Sequence, residues 1–235
     1  MSGGLTYPLN SSWTSTLPRA RKVTTSRREL LQIGTAFAVL TLDFVLIFSG
    51  ASLLGGRGLG AAFLSLTLVA VAALTALSAF VAHEVAHKVA AQRSGSWAEF
   101  RWSLPGLAFS VLTSYLGFLF AAPGATVVSG MVNVREWGKT ALAGPMTNLA
   151  FGAVFYAASV ITWYRGDSLF VWLLVLAFFN SWFGTFNLIP GGPLDGAKVL
   201  RWNTGVWAAA IVATGAMAAV TGIGLYVTGS PVLHP

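Results

Sequence analysis

The sequence of 235 residues has no cysteine and few charged residues. The absence of cysteine excludes disulfide bridges and thiolate metal sites, so any metal ion must be bound by histidine, aspartate or glutamate. Charged residues make up 9% of the chain and hydrophobic residues 55%, whereas soluble domains carry about 25% charged residues. This composition is typical of a membrane protein.

The charges that remain are mostly positive, with fourteen basic residues against seven acidic ones. Five of the basic residues lie in the first thirty positions, directly before the first apolar segment. A basic flank of this kind marks the cytoplasmic side of a membrane span. No aromatic stacking platform accompanies it, so the pattern favours a lipid bilayer over a nucleic-acid partner. We predict that residues 1–30 form a flexible, basic cytoplasmic tail.

Long uncharged stretches predict the membrane spans, because a spanning helix needs about 20 mostly apolar residues. Five such helices are predicted, near 32–55, 60–92, 138–163, 168–189 and 205–228. We therefore predict an all-α polytopic membrane protein, with residues 31–235 in a single transmembrane domain.

The region 96–133 is ambiguous, since its apolar part is interrupted by glycine and proline. The stretches "WAEFRWSL" and "ATVVSGMV" show the alternation and β-branched residues typical of strands. We predict a short β-hairpin with strands at 97–104 and 125–132, and a re-entrant loop over 107–122 between the second and third spans. Hydropathy alone would also allow a sixth spanning helix over 107–122.

The motif "HEVAH" lies at the end of the second predicted span. Residues four apart share one face of a helix, so His83 and His87 can bind one metal ion. Glu84 is rotated by about 100° from His83 and can reach a water molecule beside the metal without being a ligand. Zinc lowers the pKa of water towards about 7, and a neighbouring carboxylate can take the proton. Since ionisable groups in a span are costly and usually functional, the motif indicates a hydrolytic zinc site.

A catalytic zinc ion usually has three protein ligands, so one more is required. Asp195, in "NLIPGGPLDG" where the fourth span breaks, is the best placed, and Asp43 in the first span is a weaker candidate. The other candidates are predicted at the membrane interface, in a loop or on the far side of the membrane: Glu29, Glu99, Glu136, Asp167 and His234.

The number of membrane crossings tests this assignment. Asp195 can meet His83 and His87 only if the chain crosses the membrane an even number of times between them. The spans near 138–163 and 168–189 give two crossings, whereas a full crossing at 107–122 would put Asp195 on the wrong side. With no crossing there, eleven basic residues share the side of the N-terminus and two lie opposite, Lys88 being left aside. This split follows the positive-inside rule.

Three motifs, "HEVAH", "AGPMTN" at 143–148 and "NLIPGGPLDG" at 187–196, together resemble the site-2 protease family of intramembrane zinc metalloproteases. The resemblance covers residues 60 to 202. It implies a single zinc ion, held by the ligands His83, His87 and Asp195.

The resemblance also implies roles for three further residues. Glu84 would be the general base, and Asn148 and Asn187 would position the substrate backbone or stabilise the oxyanion. The residues themselves leave other roles open, because Asn148 could hydrogen-bond between helices and Asn187 could hold the broken backbone near Pro190.

The implied substrates are single-span transmembrane proteins, and the chain is expected to be a minimal protease core without an added regulatory domain. An exposed strand edge could pair with an unwound substrate. The alternatives are a zinc carrier or a non-catalytic membrane protein that uses the same His-His-Asp site. Glu84 discriminates between these functions, since a carrier needs no unligated base beside the metal.

The charge distribution generates the first prediction. We expect a multi-pass protein of the cell membrane, with the N-terminus and the active site towards the cytoplasm and the C-terminus outside. A reporter enzyme fused after Pro235 should be active only outside the cytoplasm. A fusion that is active in the cytoplasm would contradict the five-span topology.

Overall fold

The computed structural model describes residues 22–51, 65–120, 122–130 and 133–228. Most of the predicted basic tail, together with His234, lies outside these residues. In chain order the elements are α1 Arg27–Ser49, α2 Leu66–Thr75, a π-helical segment Ala76–Val81, α3 Ala82–Arg93, β1 Trp97–Trp102, α4 Leu104–Tyr115, β2 Gly124–Ser129, α5 Val134–Tyr164, α6 Leu169–Asn187, α7 Asp195–Trp202 and α8 Thr204–Val227.

Five helices are long and apolar enough to cross a membrane. They are α1, the continuous helix Leu66–Arg93 formed by α2, the π-helical segment and α3, and then α5, α6 and α8. The described residues contain no sixth helix of that length. Together with the hairpin, these helices confirm the predicted fold class.

Strands β1 and β2 form a two-stranded antiparallel sheet in which Phe100 lies opposite Thr126. Antiparallel pairing brings the end of β1 next to the start of β2, so the segment between them returns to its starting point instead of crossing the membrane. The 12 residues of α4 in this segment are also too few to span. The predicted hairpin is therefore present.

Helix α4 occupies much of the segment predicted as a loop. The Ser103 side chain accepts a hydrogen bond from the backbone N–H of Gly106, and Pro105 lies in the first turn of the helix. Serine at the N-cap and proline in the first turn are signals for the start of a helix. The proline and glycine that suggested a loop thus mark a helix boundary.

The apolar core lies between α1, α2 and α6. Phe44, Phe48 and Phe179 pack with ring centroids 5.2 to 5.4 Å apart. Buried Leu40 and Val175 belong to the same cluster. This core fixes α1 and α6 around the helix that carries "HEVAH".

A buried ion pair joins α1 to α3. Glu29, predicted at the membrane interface, has a fully buried side chain that pairs with Lys88, with Nζ 2.6 Å from Oε2. Lys88 also donates to the hydroxyl of Thr25, and the N–H of Phe100 donates to Oε1 of Glu29 at 3.0 Å. The carboxylate therefore links α1, α3 and β1.

This ion pair generates a stability prediction. Removing one partner of a buried pair leaves an uncompensated charge, which costs about 3 kcal/mol or more. We expect Lys88→Met to lower the thermal midpoint in detergent by about 10 °C, as measured by intrinsic fluorescence.

Glu99→Gln is the matched control, because the Glu99–Arg101 pair is partly exposed and such pairs contribute about 0–1 kcal/mol. Equal midpoints for Lys88→Met and Glu99→Gln would contradict the stabilising role of the buried pair.

Candidate metal centre

The two histidines of "HEVAH" direct one nitrogen each towards a common point. Both side chains are buried, and their Nε2 atoms are 2.9 Å apart. The Nδ1 of His87 lies 2.7 Å from the backbone oxygen of Thr140, and the Nδ1 of His83 contacts Oδ1 of Asn148. Since these oxygens accept hydrogen bonds, both Nδ1 atoms carry the proton and both Nε2 lone pairs are available for a metal.

Asp195 completes the donor set. Its Oδ2 is 2.9 Å from Nε2 of His87 and 3.3 Å from Nε2 of His83. Burial raises the pKa of the Asp195 carboxyl, whereas positive charge on protonated His87 and His83 lowers it well below its usual value when no metal is bound. A metal cation bound at the same nitrogens acts in the same direction. Asp195 is therefore a carboxylate at neutral pH, as a metal ligand must be.

The chain reaches this position through a sharp reversal after α6. Gly192 adopts φ 55°, a left-handed conformation that glycine tolerates best. Helix α7 then begins at Asp195, and Gly196 lies so close to the end of α6 that an added Cβ would overlap the carbonyl of Leu188. The glycine of "PLDG" thus allows the approach that brings Asp195 to the histidines.

Helix α5 forms the opposite wall of the site with residues spaced by four, which share one helical face. Thr140 contacts His87, Asn148 contacts His83, and Gly144 lies between them. A Cβ added at Gly144 would be 2.5 Å from Nε2 of His87 and 2.6 Å from Nε2 of His83. The absence of a side chain at Gly144 therefore keeps open the space that the three donors face.

This arrangement fits a tetrahedral zinc ion. Ligand atoms about 2.0–2.1 Å from zinc lie roughly 3.3 Å apart, and the three donor atoms are separated by 2.9 to 3.3 Å. Two imidazole nitrogens and a carboxylate oxygen are also ordinary zinc ligands. The donor set thus suits the ion in both chemistry and spacing.

Glu84 lies beside the donor set, but its carboxylate is hydrogen-bonded to a residue of β2. A carboxylate oxygen of Glu84 and nitrogen atoms of His83 and His87 all lie within 4.8 Å of one another. However, Oε2 of Glu84 accepts hydrogen bonds from the N–H and the hydroxyl of Thr126, at 2.7 and 2.8 Å. Asp195 contacts both imidazoles, whereas Glu84 is hydrogen-bonded to Thr126, so the geometry favours Asp195 over Glu84 as the candidate third ligand.

The two asparagines differ in position. Asn148 is fully buried, and besides its contact with His83 its Nδ2 donates to the carbonyl of Ala79 at 2.9 Å. A substrate contact by Asn148, which stays a prediction, would require its amide to leave these partners. Asn187 is half-buried, lines the cavity at the site and donates to the carbonyl of Phe183.

Asp43 does not join the site. It is fully buried in α1, where its Oδ1 accepts a hydrogen bond from Ser114 of α4 at 2.9 Å. This contact attaches the short helix α4 to the first span.

A cavity of about 520 Å³ opens onto the donor set. It reaches from the zinc-ligand candidates to the outer edge of β2. The residues that line it include His83, Glu84, Thr126, Val128, Asn187 and Asp195. An extended peptide placed along β2 would therefore pass close to Glu84.

Two residues of the site, Thr126 and Lys198, were not predicted from the sequence. Thr126 lies 42 positions from Glu84, and a lone threonine in a strand carries no recognisable motif. Lys198 contacts Oδ1 of Asp195 at 3.1 Å from one turn along α7. The i, i+3 spacing on a helix could have identified Lys198 as a partner of Asp195.

Comparison with known proteins identifies similar chains. The chain is 34% identical over 186 residues to "Putative zinc metalloprotease MJ0611" of Methanocaldococcus jannaschii, which covers 78% of this chain and 88% of that protein. It is 31% identical over 176 residues to "Putative zinc metalloprotease Rip3" of Mycobacterium tuberculosis, which covers 72% of this chain and 40% of Rip3. No family model matches the chain, and no solved structure matches it.

The space beside Gly144 generates a prediction on metal binding. In Gly144→Ala, the new methyl group would occupy the space between the two Nε2 atoms, so we expect bound zinc to fall at least about tenfold. Zinc per protein molecule, measured by elemental analysis after equilibration at equal free zinc, checks this result.

Gly191→Ala is the control, since a Cβ at Gly191 meets no atom within 4 Å. It should keep its zinc. Full zinc content in Gly144→Ala would contradict the proposed position of the ion.

Proposed function

The chain belongs to the zinc metalloprotease family of MJ0611 and Rip3, in agreement with its resemblance to site-2 proteases, and we propose that it is an intramembrane protease. Its substrates would be single-span membrane proteins, cut within or near the transmembrane segment. The observation that carries this proposal is the His-His-Asp donor set with an unligated glutamate beside it, at the end of a membrane-spanning helix.

Each residue of the site has a role in this mechanism. His83, His87 and Asp195 would hold one zinc ion, and Asn148 and Thr140 fix the two imidazoles in the tautomer that binds metal. Bound zinc supplies a Lewis acid that lowers the pKa of water and polarises a peptide carbonyl. Glu84 takes the proton of the attacking water and gives it to the leaving amine. Because Thr126 bonds to Oε2, we assign this proton transfer to Oε1.

A transmembrane substrate must be unwound before it can be cut, because its backbone carbonyls are hydrogen-bonded within the helix. Strand β2 offers an edge for the unwound segment, since no strand among the described residues pairs with the side of β2 away from β1. That edge borders the same cavity as the donor set. We propose that the substrate pairs with β2 as an extended strand.

The charges near the site support a cytoplasmic orientation. Lys139 lies in the first turns of α5, one residue before Thr140, which contacts His87. Lys198 and Arg201 lie on α7, the helix that begins at Asp195. Because positive residues concentrate on the cytoplasmic side, we propose that the site faces the cytoplasm.

The role of Glu84 generates a prediction on catalysis. Glu84→Gln keeps the size of the side chain but removes the proton acceptor, so cleavage of a model transmembrane substrate should fall by about 10³-fold or more. Zinc content should stay at the wild-type level because Glu84 is not a ligand. Purified protein in detergent allows both measurements on one sample.

Full cleavage by Glu84→Gln would overturn the mechanism. The His87→Ala variant is the companion control and should lose zinc and cleavage together. If the wild-type protein binds zinc but cleaves no transmembrane substrate, the carrier or non-catalytic alternative would replace the protease.

A further inference from the structure

Glu84 and Thr126 are connected by three contacts. The N–H of Thr126 donates to Oε2 of Glu84 at 2.7 Å, and its hydroxyl lies 2.8 Å from the same oxygen. The hydroxyl is also 3.0 Å from the backbone oxygen of Glu84. The proposed general base is thus attached to one residue of β2.

The N–H of Thr126 points away from β1. Thr126 and Phe100 are opposite each other in the antiparallel pair, and the N–H of Phe100 also points outward, to Oε1 of Glu29. Both residues therefore form a non-hydrogen-bonded pair, whose backbone groups face the two outer edges of the sheet. By the same alternation, the backbone groups of Gly124 and Val128 face the outer edge of β2.

Thr126 is consequently the central residue of the three that face the outer edge of β2. A peptide that adds to this edge would need the Thr126 N–H as a hydrogen-bond donor, because strand addition uses the outward backbone groups of alternate residues. That donor is already bonded to Glu84. A bond to a carboxylate is stronger than one to a peptide carbonyl, so the peptide must compete for it.

We propose that Glu84 and the substrate strand share the N–H of Thr126, so that docking of the substrate frees one bond of the general base. The Thr126 hydroxyl then remains as the donor that holds Oε2, which makes Thr126 a positioning residue for Glu84. This inference rests on the proposed proteolytic function and on substrate docking along β2. It couples the arrival of an extended peptide to the loss of one hydrogen bond at Oε2 of the general base, while the Thr126 hydroxyl still holds that oxygen.

The competition can be measured by binding in two inactive variants. In Glu84→Gln the amide oxygen still accepts a hydrogen bond from the Thr126 N–H, whereas Glu84→Ala leaves that N–H free. A fluorescent decapeptide of alternating threonine and valine, with a lysine at each end, serves as the extended probe. We expect it to bind Glu84→Ala about fivefold more tightly than Glu84→Gln, since one net hydrogen bond is gained.

A peptide of the same sequence with every residue N-methylated, which leaves no N–H donor on either edge, is the control. It cannot form a strand ladder and should show no difference between the two variants. Zinc content should be equal in both. Equal affinity of the unmethylated peptide for the two variants, or the same difference with the methylated one, would overturn the proposal.

The role of the hydroxyl is tested by kinetics. Thr126→Val keeps the shape of the side chain but loses the donor, so kcat should fall about tenfold while KM stays within about twofold. Thr126→Ser keeps the donor and should restore the wild-type kcat. Wild-type kcat in Thr126→Val, or equal losses in both variants, would contradict the positioning role.

These outcomes are separable from a failure of the proposed function. The binding comparison uses inactive variants and needs no cleavage, whereas the proteolytic function is tested on the wild-type protein. A wild-type protein that cleaves its substrate, combined with equal peptide affinity for the two inactive variants, would reject only the sharing of the Thr126 N–H.

Discussion

The rest of the structure depends on one interaction, the convergence of two imidazoles and one carboxylate. These polar groups meet inside a chain that is otherwise mostly apolar. Buried polar groups are costly unless each has a partner, so the helices around the site must supply partners as well as space. Helix α5 supplies the Thr140 oxygen, the Asn148 amide and the gap at Gly144. The reversal after α6 supplies Asp195. The three sequence motifs are therefore parts of one packing arrangement around a single point.

Much of this arrangement could be predicted, because it depends on the periodicity of the α-helix and on the number of membrane crossings. A spacing of four places His83 and His87 on one face, and an even number of crossings brings Asp195 to the same side. The structure adds the role of Gly144, since this glycine leaves room between the two imidazoles. The sequence-based predictions and the structure agree best where a motif and the topology constrain the same residue.

The parts that could not be predicted depend on long-range contacts between residues without motifs. Glu29 and Lys88 are 59 positions apart, and nothing in their local sequence shows that they form a buried pair. The same holds for Thr126 and Glu84. Helix α4 was missed for a local reason, since Ser103 and Pro105 can begin a helix as well as interrupt one. A strand or helix can thus be found from its pattern, but its polar partners emerge only from the packing.

The π-helical segment Ala76–Val81 has a consequence for the phase of the second span. A π-helical turn accommodates an additional residue, and one residue corresponds to about 100° of rotation in an α-helix. The residues of α2 that pack against α1 and the histidines of α3 therefore do not follow one regular α-helical spacing along the span. A helical wheel drawn through residues 66 to 93 would misplace the histidines relative to the core. A one-residue deletion within this segment would convert the π-helical turn to an α-helical one and keep the metal ligands facing α5.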